Sequence, residues 1–206
     1  QADVSFGARI LETIQAVVRS GSQYYNTGAG AGLVGSYREV QRSNAAAAMS
    51  AITAYNHGAT GKGVKIGIVD SGINPNLSEF AGKIDPASRD VAGNRGVSDE
   101  GGHGTAVSAV AAAARNDANM HGVAFDATII SLRTDSPGSC AETGEDEGCE
   151  FFDSAIAQGI DAARAGGAKV INLSLGGSAP GSTLLSAINR AVSARIVLVI
   201  SAGKQG

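Results

Sequence analysis

Two side chains that could work as a pair stand 33 positions apart: Asp70 in Val69-Asp70-Ser71-Gly72-Ile73, and His103 in Gly101-Gly102-His103-Gly104-Thr105. A carboxylate that accepts a hydrogen bond from an imidazole holds the ring in one tautomer and stabilises its protonated form, as a general base requires. Alone, Asp70 would read as a turn or helix cap; the partner at His103 is what gives it chemistry. The glycines around His103 let backbone pass close to a bound molecule, and Thr105 can help begin a helix. Two more segments end apolar runs: Asn172-Leu173-Ser174-Leu175-Gly176-Gly177 and Ser201-Ala202-Gly203-Lys204-Gln205-Gly206.

All four segments fall at the ends of predicted elements. Apolar runs predict strands over 64–69, 127–132, 169–174 and 196–200, with helices over 105–115, 151–165 and 182–194. Strands of this kind separated by helices imply an α/β fold, a doubly wound, mainly parallel sheet covered on both faces. Ligand sites in such sheets lie at the carboxyl ends of the strands, where these segments are. Residues 1–58 differ. They predict a helical N-terminal extension, with a helix over 8–19 (Ile10, Ile14, Val17, Val18 on one face), a glycine loop over 28–35, and a helix over 43–57 striped by Met49, Ile52 and Tyr55. The expected division is 1–58 for the extension and 59–206 for the main domain.

Composition narrows the field. Of 206 residues, 43% are hydrophobic and 17% charged, so a core can form and disorder is not indicated. The net charge of −3 argues against a nucleic-acid partner. No run of eighteen apolar residues occurs, so no membrane contact is expected from this segment. The start, Gln1-Ala2-Asp3-Val4, lacks the basic and apolar regions of a signal peptide. There are 29 glycines and no Gly-X-Y period, which excludes collagen and implies many tight turns or close backbone approaches. Gly30-Ala31-Gly32-Leu33-Val34-Gly35 fits a dinucleotide pattern but lacks the preceding apolar strand and the following acid, so it is a chance match. His57 reads as a helix C-terminal residue and His121 as a loop residue engaged with backbone. Cys140 and Cys149 flank an acidic loop. A disulfide there implies an oxidising compartment, against the alternative of two free thiols in a cytosolic protein; no histidine lies nearby, so no metal site is expected.

The four segments, in this order, resemble the subtilisin-like serine proteases (subtilases). Val69-Asp70-Ser71-Gly72-Ile73 resembles the family's aspartate motif, and His103-Gly104-Thr105-Ala106-Val107 its histidine motif. Met120-His121-Gly122-Val123-Ala124 and Ile129-Ile130-Ser131-Leu132-Arg133 resemble the segment after the histidine helix. Ser174-Leu175-Gly176-Gly177 is similar to the strip that pairs with an extended substrate, and Ser201-Ala202-Gly203 to the approach to the oxyanion hole. The likeness covers about 59–206, and residues 51–63 look most like the subtilase passengers of bacterial autotransporters.

The resemblance implies a serine endopeptidase acting on peptide or protein substrates, secreted or held at the bacterial cell surface or periplasm. Asp70 would orient the base His103. Ser174, Leu175, Gly176 and Gly177 would bind substrate in a strand-like manner. Two departures stand out. Lys204 occupies the oxyanion-hole position where the family has asparagine. The family's nucleophile lies in a Gly-Thr-Ser segment several tens of residues further on, and no Gly-Thr-Ser occurs in the 206 residues. The expectation is that the serine, with the remaining C-terminal part of the protease, lies outside this chain, which alone would be inactive. The alternative is a catalytically inactive subtilase-like domain used for peptide binding or as a passenger. No cofactor is expected. The acidic residues Glu142, Glu145, Asp146, Glu147 and Glu150 are read as a rim favouring basic substrate residues, or as a solvated loop; a structural calcium is a third reading, but the spacing matches no defined binding loop.

Overall fold

The computed structural model describes residue 39, residues 45–141, 148–177 and 179–202. The expected helix over 8–19, the glycine loop over 28–35 and the chance dinucleotide match lie outside the described residues, as do Gly203 to Gly206.

Five strands form one wholly parallel sheet in the order β2-β3-β1-β4-β5. These are β1 (Lys65–Asp70), β2 (Arg89–Asp90), β3 (Thr128–Arg133), β4 (Val170–Leu173) and β5 (Val197–Ile200). β1 is central and pairs with β3 on one side, Asp70 opposite Arg133, and with β4 on the other, Ile68 opposite Asn172. The chain therefore leaves β1 toward β3 and then crosses back to β4, so the crevice above β1 is where a parallel sheet places its ligand site.

The alternation of side chains along β1 and β3 explains why both faces need covering. Ile66, Ile68 and Ile129 face α3 (His103–Ala112), where they pack with Ile73, Phe80 and Ala112. Val69, Ile130 and Leu132 face the opposite way, against Ile156, Ile160 and Ala163 of α4 (Asp153–Ala165) and Leu184, Ala187 and Ala191 of α5 (Ser182–Ser193). α4 lies so close to β1 that a Cβ on Gly67 would sit 2.7 Å from the Ala163 methyl. The small residues of these helices thus set the sheet–helix spacing.

The helix expected over 43–57 is instead two short pieces, α1 (Ala45–Ala48) and α2 (Ile52–Asn56). Between them Ser50 adopts φ +50°, a left-handed conformation that no α-helix contains. The break turns Met49 outward, 46% exposed, so it is not part of the stripe; Ile52 and Tyr55 are buried as expected. α2 ends with His57 at its C-cap. A small core joins Ile52 and Tyr55 to Phe125, and the Tyr55 hydroxyl donates to the Val123 carbonyl at 2.6 Å.

Two helix starts differ for identifiable reasons. α3 starts two residues early because side chains outside it receive N–H groups of its first turn, Ser71 that of Gly104 and Asp99 that of Thr105. α4 starts at Asp153 because Phe151 is engaged in a backbone bridge with Asp135. The last strand ends at Ile200, as the apolar run over 196–200 implied, and Ser201 follows it. β2 has only two residues, too few to leave a periodic signal. At the sheet's edge Val199 and Ile200 are 49% and 52% exposed.

Candidate active site

Asp70 is the last residue of β1 and is fully buried. Its backbone carbonyl accepts from the Thr134 N–H at 2.8 Å and from the Thr134 hydroxyl, which fixes the strand end. Its side-chain Oδ1 accepts from the Ser71 N–H at 2.8 Å and meets His103 Nδ1 at 2.7 Å. Burial pushes the Asp70 carboxyl above its ordinary value, opposed by the His103 and Ser71 hydrogen bonds. With Nδ1 turned to the carboxylate, Nε2 of His103 faces outward, and its side chain is half exposed. One buried acceptor behind the ring and one accessible ring nitrogen in front is the geometry of an oriented general base.

His103 opens α3. The residue before it, Gly102, has φ +78°, which a side chain would resist. The residue after it, Gly104, passes so near Gly72 that a Cβ there would strike the Gly72 carbonyl. The two glycines are what allow the helix start to dock on the strand end. No side chain of the helix caps it. Asp99 does so from the preceding loop: Oδ2 accepts from the Thr105 N–H (2.8 Å) and hydroxyl (2.6 Å), and Oδ1 from the Gly101 (3.1 Å) and Gly102 (2.8 Å) N–H groups. Oδ1 also accepts the Ser71 hydroxyl at 2.9 Å, and Ser71 Oγ accepts the Gly104 N–H at 2.9 Å. Burial works to raise the Asp99 pKa, but these hydrogen bonds outweigh it and hold the carboxyl below its ordinary value. Thr105, expected to help begin the helix, does so as Asp99's partner and also accepts the Asn74 N–H.

Asp99 was not singled out in the sequence. The available signal was an acid three to six residues ahead of a helix start, in Asp99-Glu100-Gly101-Gly102. Arg133, at the end of β3, is a second such residue. It is 1% exposed, chelates Asp135 through Nε and Nη2, and reaches Glu100 and the Ser98 carbonyl. Burial would lower its pKa, yet the Asp135 and Glu100 carboxylates overcome this and raise it. Arg95 joins the same cluster through Asp90 and Asp135. The loop that carries Glu100, Gly101 and Gly102 to His103 is thereby anchored to β3.

The structure brings the third segment to the same place. Ser174 to Gly177 leave the end of β4, braced by the Asn172 amide on Ser174 Oγ at 2.8 Å. Ser174, Leu175 and Gly176 share a hollow of about 310 Å³ with His103. Gly176 and Gly177 are exposed with open space at their Cβ positions, so an extended chain can lie along them. Cys140 and Cys149 form a disulfide at the hollow's rim. Ser201 donates its hydroxyl to the Leu175 carbonyl and its N–H to Leu173, joining β5 to this strip. His121 is buried away from the site, its Nδ1 on the Gly122 carbonyl at 2.9 Å, as its sequence context suggested. Lys204 and the acidic residues Glu142, Glu145, Asp146 and Glu147 lie outside the described residues; Glu150 is exposed.

Among the described residues no group of three or more acids, histidines or cysteines could hold a metal ion. One buried acidic pair is notable. Glu39 accepts the Asn116 N–H and Glu79 the Asn119 amide, and in each the second oxygen, Oε2, is buried without a hydrogen-bond partner among the described residues. Burial raises the Glu39 pKa, and the nearby Asp117 and Glu79 charges add to this. An all-oxygen pair with open lone pairs suits a hard divalent cation.

The sequence of residues 61–206 matches the Peptidase_S8 family, described as the subtilase family. Subtilisin Savinase of Lederbergia lenta is 33% identical over 160 residues, spanning 77% of this chain and 54% of that protein. Thermitase of Thermoactinomyces vulgaris is 38% identical over 151 residues, 72% of this chain and 50% of that protein. Among solved structures, fervidolysin from Fervidobacterium pennivorans, described as a keratinolytic enzyme related to subtilisin, superposes with a TM-score of 0.63 at 28% identity. It covers 76% of this chain and 24% of its own. A protease from Pseudoalteromonas arctica gives 0.61 at 28% identity, over 73% and 52%. The chain spans about half the length of these two curated relatives. Family match, relatives and superposition agree with the motif order and the parallel sheet: the chain belongs to the subtilase family of serine proteases.

Proposed function

We propose that this chain carries the Asp–His half of the catalytic site of a subtilisin-like endopeptidase, with the nucleophilic serine supplied by polypeptide outside the 206 residues. The observation that carries this reading is the 2.7 Å contact between buried Asp70 and outward-facing His103, beside the open strip Ser174 to Gly177. His103 Nε2 takes the serine proton as the hydroxyl attacks the substrate carbonyl, then returns it to the leaving amine. Asp70 stays ionised and stabilises the imidazolium. The substrate backbone lies along Ser174 to Gly177, and this alignment lowers the entropic barrier to attack.

The remaining C-terminal part of the protease is the partner this reading requires, and the exposed edge of β5 is where a further parallel strand would add. The disulfide supports an oxidising setting, secreted or at the bacterial surface. Residues 1–58 are read as an extension preceding the catalytic domain 59–206, and within them Ile52 and Tyr55 pack against Phe125 of that domain. Glu39 and Glu79 are the residues that would hold a structural calcium, which would supply charge compensation for their buried carboxylates and no catalytic step. A serine-directed fluorophosphonate tests the whole reading on the intact protein. Labelling that disappears in His103→Ala is expected; absence of labelling on well-folded protein discards it in favour of an inactive domain.

A further inference from the structure

The Cys140–Cys149 disulfide does not merely close a surface loop. The two chains that lead into it are already joined beneath it. Ser136 donates its N–H to the Glu150 carbonyl at 2.8 Å, Glu150 donates to Ser139 Oγ at 3.0 Å, and Asp135 bridges Phe151 in antiparallel fashion. The sulfurs instead point at the loop that carries the general base. A Cβ added to Gly101, two residues before His103, would lie 2.7 Å from Cys149 Sγ, 3.4 Å from Cys140 Cβ and 3.5 Å from Cys140 Sγ. Only a residue without a side chain allows that contact, and the half-buried disulfide is held in van der Waals contact with the Gly101 backbone.

Two hollows meet at this place. The smaller, about 310 Å³, has His103, Gly101 and both cysteines on its walls. The larger, about 580 Å³, continues over Ile156, Leu184 and Ile188, with Glu150 and Asp153 also on its walls. Cys149, Phe151, Leu175 and Gly176 line both, so the disulfide end and Phe151 stand between them. A peptide extended along Leu175 and Gly176 directs every second side chain to the same face. One such side chain enters the hollow at His103, and the next on that face enters the larger groove.

We infer that the Cys140–Cys149 disulfide is a specificity wall: held against the Gly101 backbone, it bounds the hollow at His103 and limits how large a side chain that hollow admits. The inference rests on the protease reading above. A cross-linked wall backed by main chain cannot yield, whereas a free thiol or hydroxyl on a rotatable bond can. Closed walls reject an added methylene or ring more strongly than yielding ones do.

The test uses the full protein and fluorogenic peptides varied one residue at a time over the four positions before the cleaved bond. At one position Ala is expected to be preferred over Phe by about tenfold or more, as a fixed pocket discriminates. That preference should fall severalfold in the Cys140→Ser/Cys149→Ser variant, with the other positions unchanged. Two further perturbations guard against a variant that does not fold: Gly101→Ala, which pushes the sulfur aside with the cross-link intact, and mild reduction of the folded wild-type protein. An unchanged preference profile across all three overturns the inference. If no peptide is cleaved by any form, the protease reading falls. Selection is then read as binding of the same peptides, by amide shifts of Ser174 to Gly177. Equal binding of Ala and Phe peptides, or no binding, overturns the specificity wall as well.

Discussion

Asp99 Oδ1 accepts the hydroxyl of Ser71 at 2.9 Å, and through this one contact the loop before the histidine helix is tied to the residue beside Asp70. Asp99 is the acceptor for Ser71 Oγ, the Thr105 hydroxyl and three backbone N–H groups, so it sets where α3 begins and how His103 faces Asp70.

Asp99→Ala leaves those donors without their partner and is expected to cost about 2–4 kcal/mol, the scale of lost charge-assisted hydrogen bonds. Urea denaturation at pH 7 measures it. Because the folded pKa of Asp99 is depressed, its contribution is present above the unfolded value of about 3.9 and is lost as pH falls through the folded one. The wild-type and variant stabilities should therefore converge in acid. In the active protein kcat should fall with KM nearly unchanged, since the substrate strip is untouched; a KM effect alone would refute the positioning role.

Asp70→Asn is expected to lower kcat by about 10³–10⁴, because an amide can hold the imidazole in the wrong tautomer. Stability should move the other way. The folded pKa of Asp70 is raised, so its favourable contribution exists below about 3.9 and is lost as pH rises through the folded value. At pH 7 the buried charge is a cost, and the variant's melting temperature should be no lower than wild type. A large fall in melting temperature would show that the carboxylate is chiefly structural.

His121 is fully buried against Tyr55 and Phe125, and burial lowers its pKa, with a smaller push from Arg115. A histidine held neutral contributes stability that is present above about pH 6.5 and is lost as pH falls toward the folded value. Thermal melts between pH 7 and 5 should show that decline, and His121→Leu should flatten it. An unchanged slope in the variant assigns the acid sensitivity to other groups.

If Glu39 and Glu79 hold calcium, chelation with EDTA should lower the melting temperature by several degrees and added calcium should restore it, as a ligand bound only to the folded state does. Glu79→Gln should abolish the response. A melting temperature indifferent to calcium in the wild-type protein discards the site.

If Lys204 takes the oxyanion-hole position that the resemblance assigns to it, Lys204→Asn supplies the side-chain amide that the family uses there. The expected gain in kcat is up to about 10²–10³, the value of one such donor. Steady-state kinetics on the full protein measures it, and no gain would discard the expectation that an amide at position 204 acts as an oxyanion donor.

The helices and strands of the main domain were legible because burial leaves a pattern in the chain: continuous apolar runs in β1 and β3, whose two faces are both covered, and a single apolar stripe in α4 and α5. The motif residues Asp70, His103 and Ser174 to Gly177 were legible because their types, order and placement at element ends left few other chemistries. The break at Ser50 was not, because a left-handed serine has no compositional signature and depends on how α1 and α2 pack. Asp99, Arg133 and the buried Glu39–Glu79 pair were equally hidden. A charged residue in sequence reads as solvated, and only assembly of distant loops shows which acids are buried and what they hold.

The sequence by itself determined which groups could do chemistry and that a parallel sheet would carry them. The tertiary structure alone decided that β1 lies at the sheet's centre, that Asp70 and His103 meet at 2.7 Å, and that a disulfide stands between two hollows of the cleft. The reason is physical. Local pattern reports burial and backbone preference, which are properties of neighbours in the chain. Hydrogen bonds across 28 to 33 residues and contacts such as Gly101 on Cys149 exist only once the sheet has set the register of its loops.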